Sequence, residues 1–214
     1  KFVRLKIEFT NKLKTLEKNK IMKKLTFIIT AAFIFVGTTF ANDNGGDDNT
    51  AAHTVGIDIE NLAIIDIEST GNGNSNDITM SPSAPTEAGD AISFSGITNS
   101  NLWLNYSSIV SSGKTRSVSA GISNKLPGGV TLKVAAGNVS QHGKGAKGSA
   151  KNDAQTLTSG GVDVITGIGS CYTGKGPNKG SNLTYTLEMD EDKYEQLYQG
   201  AYSVTITYTI TDEQ

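Results

Sequence analysis

The stretch that decides the fold is "SVTITYTIT", residues 203–211, close to the C-terminus. Four apolar residues alternate with four threonines, which is the pattern of a strand with one buried face. The apolar residues are Val204, Ile206, Tyr208 and Ile210. β-branched and aromatic residues also suit a pleated surface. The stretch therefore predicts a regular β-strand whose apolar residues face a core and whose threonines face outward.

The same period of two recurs along the chain, between turns rich in Gly and Ser. Clear examples are "HTVGIDIE" (53–60), "KTRSVSAGIS" (114–123), "VTLKVAAG" (130–137) and "NLTYTLEM" (182–189). Only "DEDKYEQLYQG" (190–200) is helical in pattern. Many short strands separated by turns are typical of a β-sandwich. We expect an all-β fold: an antiparallel β-sandwich, Ig-like or pilin-like, forming one domain over residues 53–214, with one short helix near 190–199.

The N-terminal part has the form of a secretory signal. Met22 is followed by two lysines, by an apolar run from Leu25 to Val36, and by small residues ending at Ala41. This pattern predicts a signal peptide over residues 22–41, cleaved after Ala41. Residues 1–21 are then interpreted as an upstream non-native extension, or alternatively as a basic amphipathic helix.

The stretch after the predicted cleavage site is "NDNGGDDNTAA", residues 42–52. It has no large apolar side chain to bury and is predicted to be a flexible leader. Asn42 stands where a lipoprotein would have cysteine, so no lipid anchor is implied. We expect a secreted bacterial protein, extracellular or at the cell surface, that is not inserted in the membrane after cleavage.

The charge changes when the signal is removed. Residues 42–214 keep 10 of the 19 Lys and Arg but 19 of the 21 Asp and Glu, so the formal charge falls from −2 to −9. A chain this acidic is poorly suited to bind a phosphate backbone, and no nucleic-acid partner is expected. Only two histidines, His53 and His142, are present. We therefore expect no metal and no cofactor.

Two glycine patterns come close to nucleotide-binding motifs. In "GIGSCYTGKG" (167–176), Gly176 stands where a phosphate loop needs Ser or Thr, and a turn and a strand follow instead of a helix. It is predicted to be a glycine-rich turn before the "LTYTL" strand. "GKGAKG" (143–148) matches G-x-G-x-x-G but lacks a βαβ context. It is predicted to be a mobile loop carrying Lys144, Lys147 and Lys151, either solvated or in contact with an acidic subunit or glycan.

The single cysteine, Cys171, leaves three interpretations open: a buried inert thiol, an intermolecular disulfide, or a nucleophile. Nucleophilic catalysis needs a base, and the two histidines lie far from it in sequence. The acidic run Asp190–Asp192 is interpreted as the N-terminus of a helix. Neighbours on one turn do not flank a glycosidic bond from two sides.

Five stretches together resemble a group of small secreted single-domain β-sandwich proteins of Bacteroidetes-type bacteria that have no assigned function. These stretches are "WLNYSS", "LPGGVTLKV", "GIGSCYTGKG", "LTYTL" and "VTITYTIT". The resemblance extends over residues 53–214 and implies a surface or extracellular sandwich that assembles into fibres; it implies no catalytic residues. The C-terminal strand is also similar to those of pilin-like and WxL-type surface domains, although Trp103-Leu104 departs from the usual W-x-L spacing.

These observations favour a non-enzymatic secreted structural protein, a subunit of an extracellular filament or surface layer. A strand on a flexible leader can leave its own sheet and complete the sheet of a neighbour. The expected partner is a second copy. The predicted donor residues are Val55, Ile57 and Ile59. The predicted acceptor edge contains Val204, Ile206, Tyr208 and Ile210, and Cys171 is a further interface candidate. The alternative is that the same strand folds back within its own chain.

A glycan-binding or adhesion module is the second hypothesis, with surface glycans as partners. Its stacking candidates are Trp103, Tyr106, Tyr172 and Tyr185, because aromatic rings provide flat apolar surfaces for sugars. An exposed aromatic row on one sheet would favour this function, and a buried position for all four would exclude it.

Overall fold

A computed structural model of the chain describes residues 52–71, 76–139 and 141–213, and the compact unit that carries the strands begins at Gly56. The predicted extension, signal peptide and most of the predicted leader lie outside the described residues. Within the described ranges there are nine strands and one short 3-10 helix. They are β1 (Leu62–Ser69), β2 (Thr98–Ile109), β3 (Arg116–Ile122), β4 (Val130–Ala136), β5 (Lys144–Ala150), β6 (Gln155–Thr156), β7 (Val162–Tyr172), β8 (Ser181–Met189), the 3-10 helix (Glu191–Gln196) and β9 (Ile206–Asp212).

Every pair of these strands is antiparallel, so the predicted all-β, sandwich-like fold is confirmed. The strands follow the order β6-β4-β8-β2-β7-β3-β9, with β1 added to β2 and β5 added to β7. The two long strands, β2 and β7, each pair with three others. β2 meets β8 along its first half and β7 at Ser107 and Ser108. The sheet therefore bends at these two strands and encloses a core.

The core is built from alternate residues of the central strands. Successive side chains of a strand point to opposite faces, so every second residue is available for burial. The wholly buried apolar residues include Leu104 on β2, Val118 and Ala120 on β3, Val134 on β4, and Leu183 on β8. Burial of one such aliphatic side chain stabilises the fold by about 1.5–3 kcal/mol.

The "HTVGIDIE" stretch does not form the strand that its alternation predicts. Residues 53–60 make no strand pairing and are exposed, and β1 begins at Leu62. A period of two shows that a segment can present one apolar face, but a strand also needs a neighbouring edge to pair with. We call residues 53–60 the N-terminal segment.

The predicted mobile loop "GKGAKG" is in fact strand β5, which pairs with β7. Glycine makes this pairing possible. Gly145 has a φ of +93°, and a Cβ there would lie 2.2 Å from the carbonyl oxygen of Ser170. The register shifts between Gly145 and Lys147, as at a β-bulge. The missing side chain lets β5 approach β7 closely, which a loop interpretation of the glycines overlooked.

The predicted turn "GIGSCYTGKG" is also corrected in part. Its first six residues, Gly167 to Tyr172, belong to β7, and only the residues from Thr173 onward lie in the turn before β8. Two predictions for the following region are confirmed. The short helix forms within 190–199, and the side chain of Asp190 accepts a hydrogen bond from Asp192 N at its start.

Candidate functional site

Strand β9 lies at the end of the strand order and pairs only with β3 among the described strands. Two backbone bonds fix which residues face β3: Ser123 N donates to Thr205 O at 3.0 Å, and Glu213 N donates to Thr115 O at 2.9 Å. Because the direction of the backbone groups alternates in an antiparallel pair, the odd-numbered residues of β9 bond to β3. The N–H and C=O groups of Ile206, Tyr208 and Ile210 therefore point away, along the open edge.

Nothing in the sequence of β9 protects this edge. Natural edge strands avoid pairing with other chains by means of Lys, Pro, bulges or a very short length. β9 is seven residues long, "ITYTITD", and its pairing with β3 runs from Ile206 to Asp212 without a register shift. Along its described length it offers a regular row of backbone donors and acceptors.

The side chains of β9 hold the strand on the sandwich. Val204, Ile206, Tyr208 and Ile210 are half-buried and pack against the core, on the face that the alternation predicts. The hydroxyl groups of Tyr208 and Tyr185 are hydrogen-bonded at 2.7 Å. Burial raises the pKa of Tyr185 to about 12, against a smaller lowering by this hydrogen bond. Burial also raises the pKa of Tyr208, so both phenols are neutral.

The N-terminal segment has the opposite character, because its apolar side chains are in solvent. Val55, Ile57 and Ile59 are 68%, 83% and 73% exposed. All three occupy alternate positions, so an extended segment presents them on one face. Such a row of exposed aliphatic residues is a candidate contact surface.

Arg116 joins the start of β1 to the end of β9. It is only 4% exposed, and its Nε donates to Asp212 Oδ1 at 2.7 Å. Its terminal nitrogens donate to Ser108 Oγ at 3.1 Å, Ile109 O at 3.3 Å, Leu62 O and Asn61 Oδ1. The N-terminal segment therefore leaves the sandwich at Asn61, beside the end of the open strand.

Glu213, the residue after β9, is held in place by two hydrogen bonds. Its carboxylate accepts hydrogen bonds from the Thr115 hydroxyl and, at 2.8 Å, from Gly167 N. The Thr115 bond first, and then the Gly167 bond, lower the pKa of Glu213. Sequence reasoning missed both Arg116 and Glu213. The sequence could have indicated that Arg116 is buried, since in "RSVSA" it lies two and four residues before the apolar Val118 and Ala120, on the same face of the strand.

The four aromatic candidates for sugar stacking divide into two pairs. Tyr106 and Tyr185 are buried in the core, so they cannot stack on a glycan, and this part of the prediction is wrong. They occupy the inward positions of β2 and β8. Trp103 is half-buried and Tyr172 is 52% exposed. Tyr172 on β7 is opposite Ser107 on β2, so these two side chains point to the same face. Ser107 and Trp103 are four residues apart on β2, so they also share a face. The rings of Trp103 and Tyr172 therefore lie on one outer face.

Three exposed tyrosines were not recognised from the sequence. Tyr194, Tyr198 and Tyr202 lie in and after the 3-10 helix, four residues apart. The Tyr202 hydroxyl donates to Tyr198 O at 2.9 Å, and Tyr194 Oη accepts from Ile92 N at 3.4 Å. The regular spacing was visible in the sequence, but the exposure of the rings follows from the fold around them.

Cys171 is 7% exposed and faces the core from β7, which corrects its interpretation as a subunit-interface residue. The alternation places Cys171 inside and Tyr172 outside. Burial raises the pKa of the Cys171 thiol, against an opposing effect of Lys147. A buried, protonated thiol is a poor nucleophile and cannot reach a second chain.

Basic residues gather where the turn after β7 meets the start of β5. Lys179 Nζ lies 3.2 Å from His142 Nε2, and Lys147 Nζ donates to His142 O at 2.9 Å. Lys144 is opposite Tyr172 in the β5–β7 pair. Lys175 is exposed in the same turn. Lys147 is opposite the buried Ile168, so its side chain starts from the other face of the sheet. We call His142, Lys144, Lys175 and Lys179 the basic surface.

Other kinds of site are not found in the part of the chain that the structure describes. It contains no group of three metal-ligating side chains, and no helix there is long and apolar enough to cross a membrane. Gly169 of the phosphate-loop pattern lies in β7, whereas Gly174 and Lys175 lie in the turn, so no helix N-terminus faces them. No protein-family model, curated protein or solved structure matches the chain.

Proposed function

We propose that the protein is a secreted, non-enzymatic structural subunit of an extracellular filament or surface layer. The N-terminal segment of one copy pairs with the open edge of β9 in the next copy. One observation carries this proposal: an unprotected edge strand lies beside the point where an unpaired, alternately apolar segment leaves the same molecule. Each copy thus has one donor and one acceptor, which is sufficient for a linear polymer.

The two partners match in length and chemistry. The N-terminal segment has eight residues and β9 has seven. Ile206, Tyr208 and Ile210 offer outward backbone N–H and C=O groups, and each hydrogen bond formed contributes about 0.5–1.5 kcal/mol net. Burial of Val55, Ile57 or Ile59 adds about 1.5–3 kcal/mol for each side chain. These gains oppose the entropy lost when two copies associate.

The position of Asn61 brings the N-terminal segment within reach of a β9 edge. β1 begins beside the end of β9, since Arg116 contacts both. β2 and β3 are both antiparallel to β7, so their antiparallel partners β1 and β9 run in the same direction. The segment before Asn61 can therefore extend along a β9 strand without reversing, either in its own chain or in a neighbour. Asn61 Oδ1 accepts a hydrogen bond from Arg116, which restrains that residue.

The test uses two variants, each of which places one negative charge on a different face of the N-terminal segment. Ile57→Asp alters the proposed contact face, and Thr54→Asp introduces the same charge on the opposite face. We expect Ile57→Asp to abolish polymers in negative-stain images and in sedimentation velocity, because an aspartate cannot be buried without a partner. Thr54→Asp should assemble as the unchanged protein does. Both variants should unfold within about 0.5 kcal/mol of the unchanged protein, since both positions are exposed.

Three outcomes would contradict the proposal. Undiminished polymers of the Ile57→Asp chain would show that the apolar face of the segment is not the contact. Equal loss in both variants would show a charge effect without strand pairing. A monomeric Ile57→Asp protein destabilised by more than about 1 kcal/mol would show that the segment folds back on its own chain.

The alternative function, a secreted glycan-binding module, is supported by a separate observation. Trp103 and Tyr172 lie on one outer face, and Tyr172 is largely exposed beside Lys144. Tyr106 and Tyr185 are buried, so only two of the four predicted stacking residues can reach a glycan. We therefore rank this function second. Binding of glycans by the purified chain, measured in the monomeric Ile57→Asp variant, separates it from assembly.

A further inference from the structure

We infer that the basic surface, together with Tyr172, binds an acidic polysaccharide. This surface is formed by β5, the end of β7 and the turn before β8, and it does not include β9. This binding does not depend on strand exchange, because the proposed subunit contact uses β9 and the N-terminal segment and not this surface.

The exposed ring of Tyr172 lies in a row of paired residues. Lys144 is opposite Tyr172 on one side, and Ser107 is opposite it on the other. Paired residues of antiparallel strands direct their side chains to the same face, and neighbouring strands are about 4.8 Å apart. The ring therefore lies on the outer face with a lysine on the next strand, where it can stack on a sugar while the lysine binds a carboxylate.

The turn that follows Tyr172 carries two further lysines, Lys175 and Lys179. Asn105 Nδ2 donates to Gly176 O at 2.7 Å, which fixes the turn against β2. Position Gly174 contacts the side chains of both His142 and Lys179. A lysine ammonium has only donors, so His142 Nε2 is the acceptor in its 3.2 Å contact with Lys179. His142 and Lys179 are thus held together by local contacts.

The platform beneath these cations is a strand and not a flexible loop. The close approach of Gly145 to Ser170 seats β5 on β7 and fixes the backbone of Lys144. A site on regular structure holds its groups in place before the ligand arrives, which reduces the entropy lost on binding.

The charge on the segments that form this platform is positive. The sequence contains no Asp or Glu from residue 139 to 152 or from 164 to 187, which includes β5, most of β7 and the turn. The carboxylates on the same outer face, Asp66 and Glu68, lie two strands away on β1. Because residues 42–214 carry −9 overall, the positive region is local. A chain of uronate sugars offers carboxylates to the lysines and apolar ring faces to Tyr172.

The experiment measures binding of sodium polygalacturonate to the full chain by calorimetry at low salt, with neutral dextran as the comparison. We expect binding to polygalacturonate only. Lys175→Gln with Lys179→Gln should weaken it about tenfold, and Tyr172→Ala by about five- to tenfold. Tyr172→Phe keeps the ring and should stay within about twofold. Lys114→Gln with Lys125→Gln is the control, since it removes the same charge from other loops.

Several results would overturn the inference. These are absence of polygalacturonate binding, equal weakening in the control pair, no effect of Tyr172→Ala, or equal binding of single-stranded DNA. A change in self-association of the lysine variants, without a change in polygalacturonate binding, would also overturn it, because the occupant is then a second copy. Repeating the titration on the Ile57→Asp chain separates failure of this inference from failure of the assembly proposal.

Discussion

Arg116 is a charged residue at a core position, since it shares its strand face with the wholly buried Val118 and Ala120. Its partner Asp212 is 75% exposed, so the ion pair alone is weakly stabilising. The larger contribution to stability comes from the hydrogen bonds that its terminal nitrogens donate to several oxygens. These oxygens are left without a donor if the guanidinium is removed. The importance of Arg116 is therefore structural: it satisfies acceptors from the ends of β1 and β2.

Arg116→Met tests this contribution. Methionine keeps an apolar stem but removes every donor, and a buried oxygen left without a donor costs about 1–3 kcal/mol. We expect the free energy of unfolding in urea to fall by about 3 kcal/mol in total. Lys193→Met is the matched control, because Lys193 forms an exposed pair with Asp190 at 2.7 Å. A loss for Arg116→Met no larger than that of the control would contradict this interpretation.

Glu213 predicts a pH dependence. Its pKa is lowered in the folded chain by the Thr115 and Gly167 hydrogen bonds. The ionised form therefore stabilises the fold fully above the ordinary pKa of a glutamate, and the contribution is lost as the pH falls through the lowered value. Glu213→Gln should lower the urea midpoint at neutral pH, and this difference should shrink as the pH falls below the ordinary pKa of a glutamate.

Thr115→Val is the companion variant for this test, because it removes the hydroxyl donor to Glu213. It should shrink the difference between the neutral and acidic midpoints. If the Glu213→Gln variant differs from the unchanged chain by the same amount at both pH values, the carboxylate charge is not involved.

At the scale of the element, β9 predicts an alternating pattern of amide exchange. The N–H groups of Thr207, Thr209 and Thr211 face β3, whereas those of Ile206, Tyr208 and Ile210 face the open edge. In the monomeric Ile57→Asp chain, the three threonine amides should exchange slowly and the other three quickly. Assembly should protect the second set, because the donor strand supplies their acceptors.

Hydrogen exchange read by NMR distinguishes these residues one by one. Equal protection of both sets in the monomer would mean that the edge is already covered. Unchanged exchange of Ile206, Tyr208 and Ile210 after assembly would mean that polymers form through another surface.

The strands that could be predicted are those with one buried and one exposed face. β3, β4, β8 and β9 carry this alternation in their side chains. β5 could not be recognised, because glycines have no side chain to alternate and their role depends on a backbone elsewhere in the chain. The N-terminal segment shows the opposite case. Its apolar residues alternate clearly, but whether it forms a strand depends on a free sheet edge, and the sequence does not show where that edge lies.

The candidate site was visible only in part for the same reason. The inward face of β9 follows from its own residues. Its open edge follows from the strand order, which is set by long-range contacts. Arg116 and Asp212 are 96 residues apart, so no local pattern connects them. Likewise, the sequence shows that Lys144 and Lys179 are basic, but only the β5–β7 pairing brings them to one surface.

At the scale of the whole molecule, the charge predicts opposite responses to salt for the two proposed interactions. Residues 42–214 carry −9, so this part of two copies repels, and assembly should strengthen as salt is raised to about 0.15 M, where charges are screened beyond about 8 Å. Binding of polygalacturonate should weaken over the same range, because its attraction is electrostatic. Sedimentation and calorimetry on the same preparation measure both, and a shift in the same direction would contradict one of the two proposals.

The Arg116 cluster also gives the proposed polymer a way to carry tension. A pull on the chain enters a subunit at Asn61 and leaves through the strand lying on β9. Arg116 bonds to Asn61, Leu62 and Asp212, so it links the point where the pull enters to the strand that receives the next donor. The donor strand is then loaded along its own axis, in shear, and its hydrogen bonds resist together instead of opening one after another.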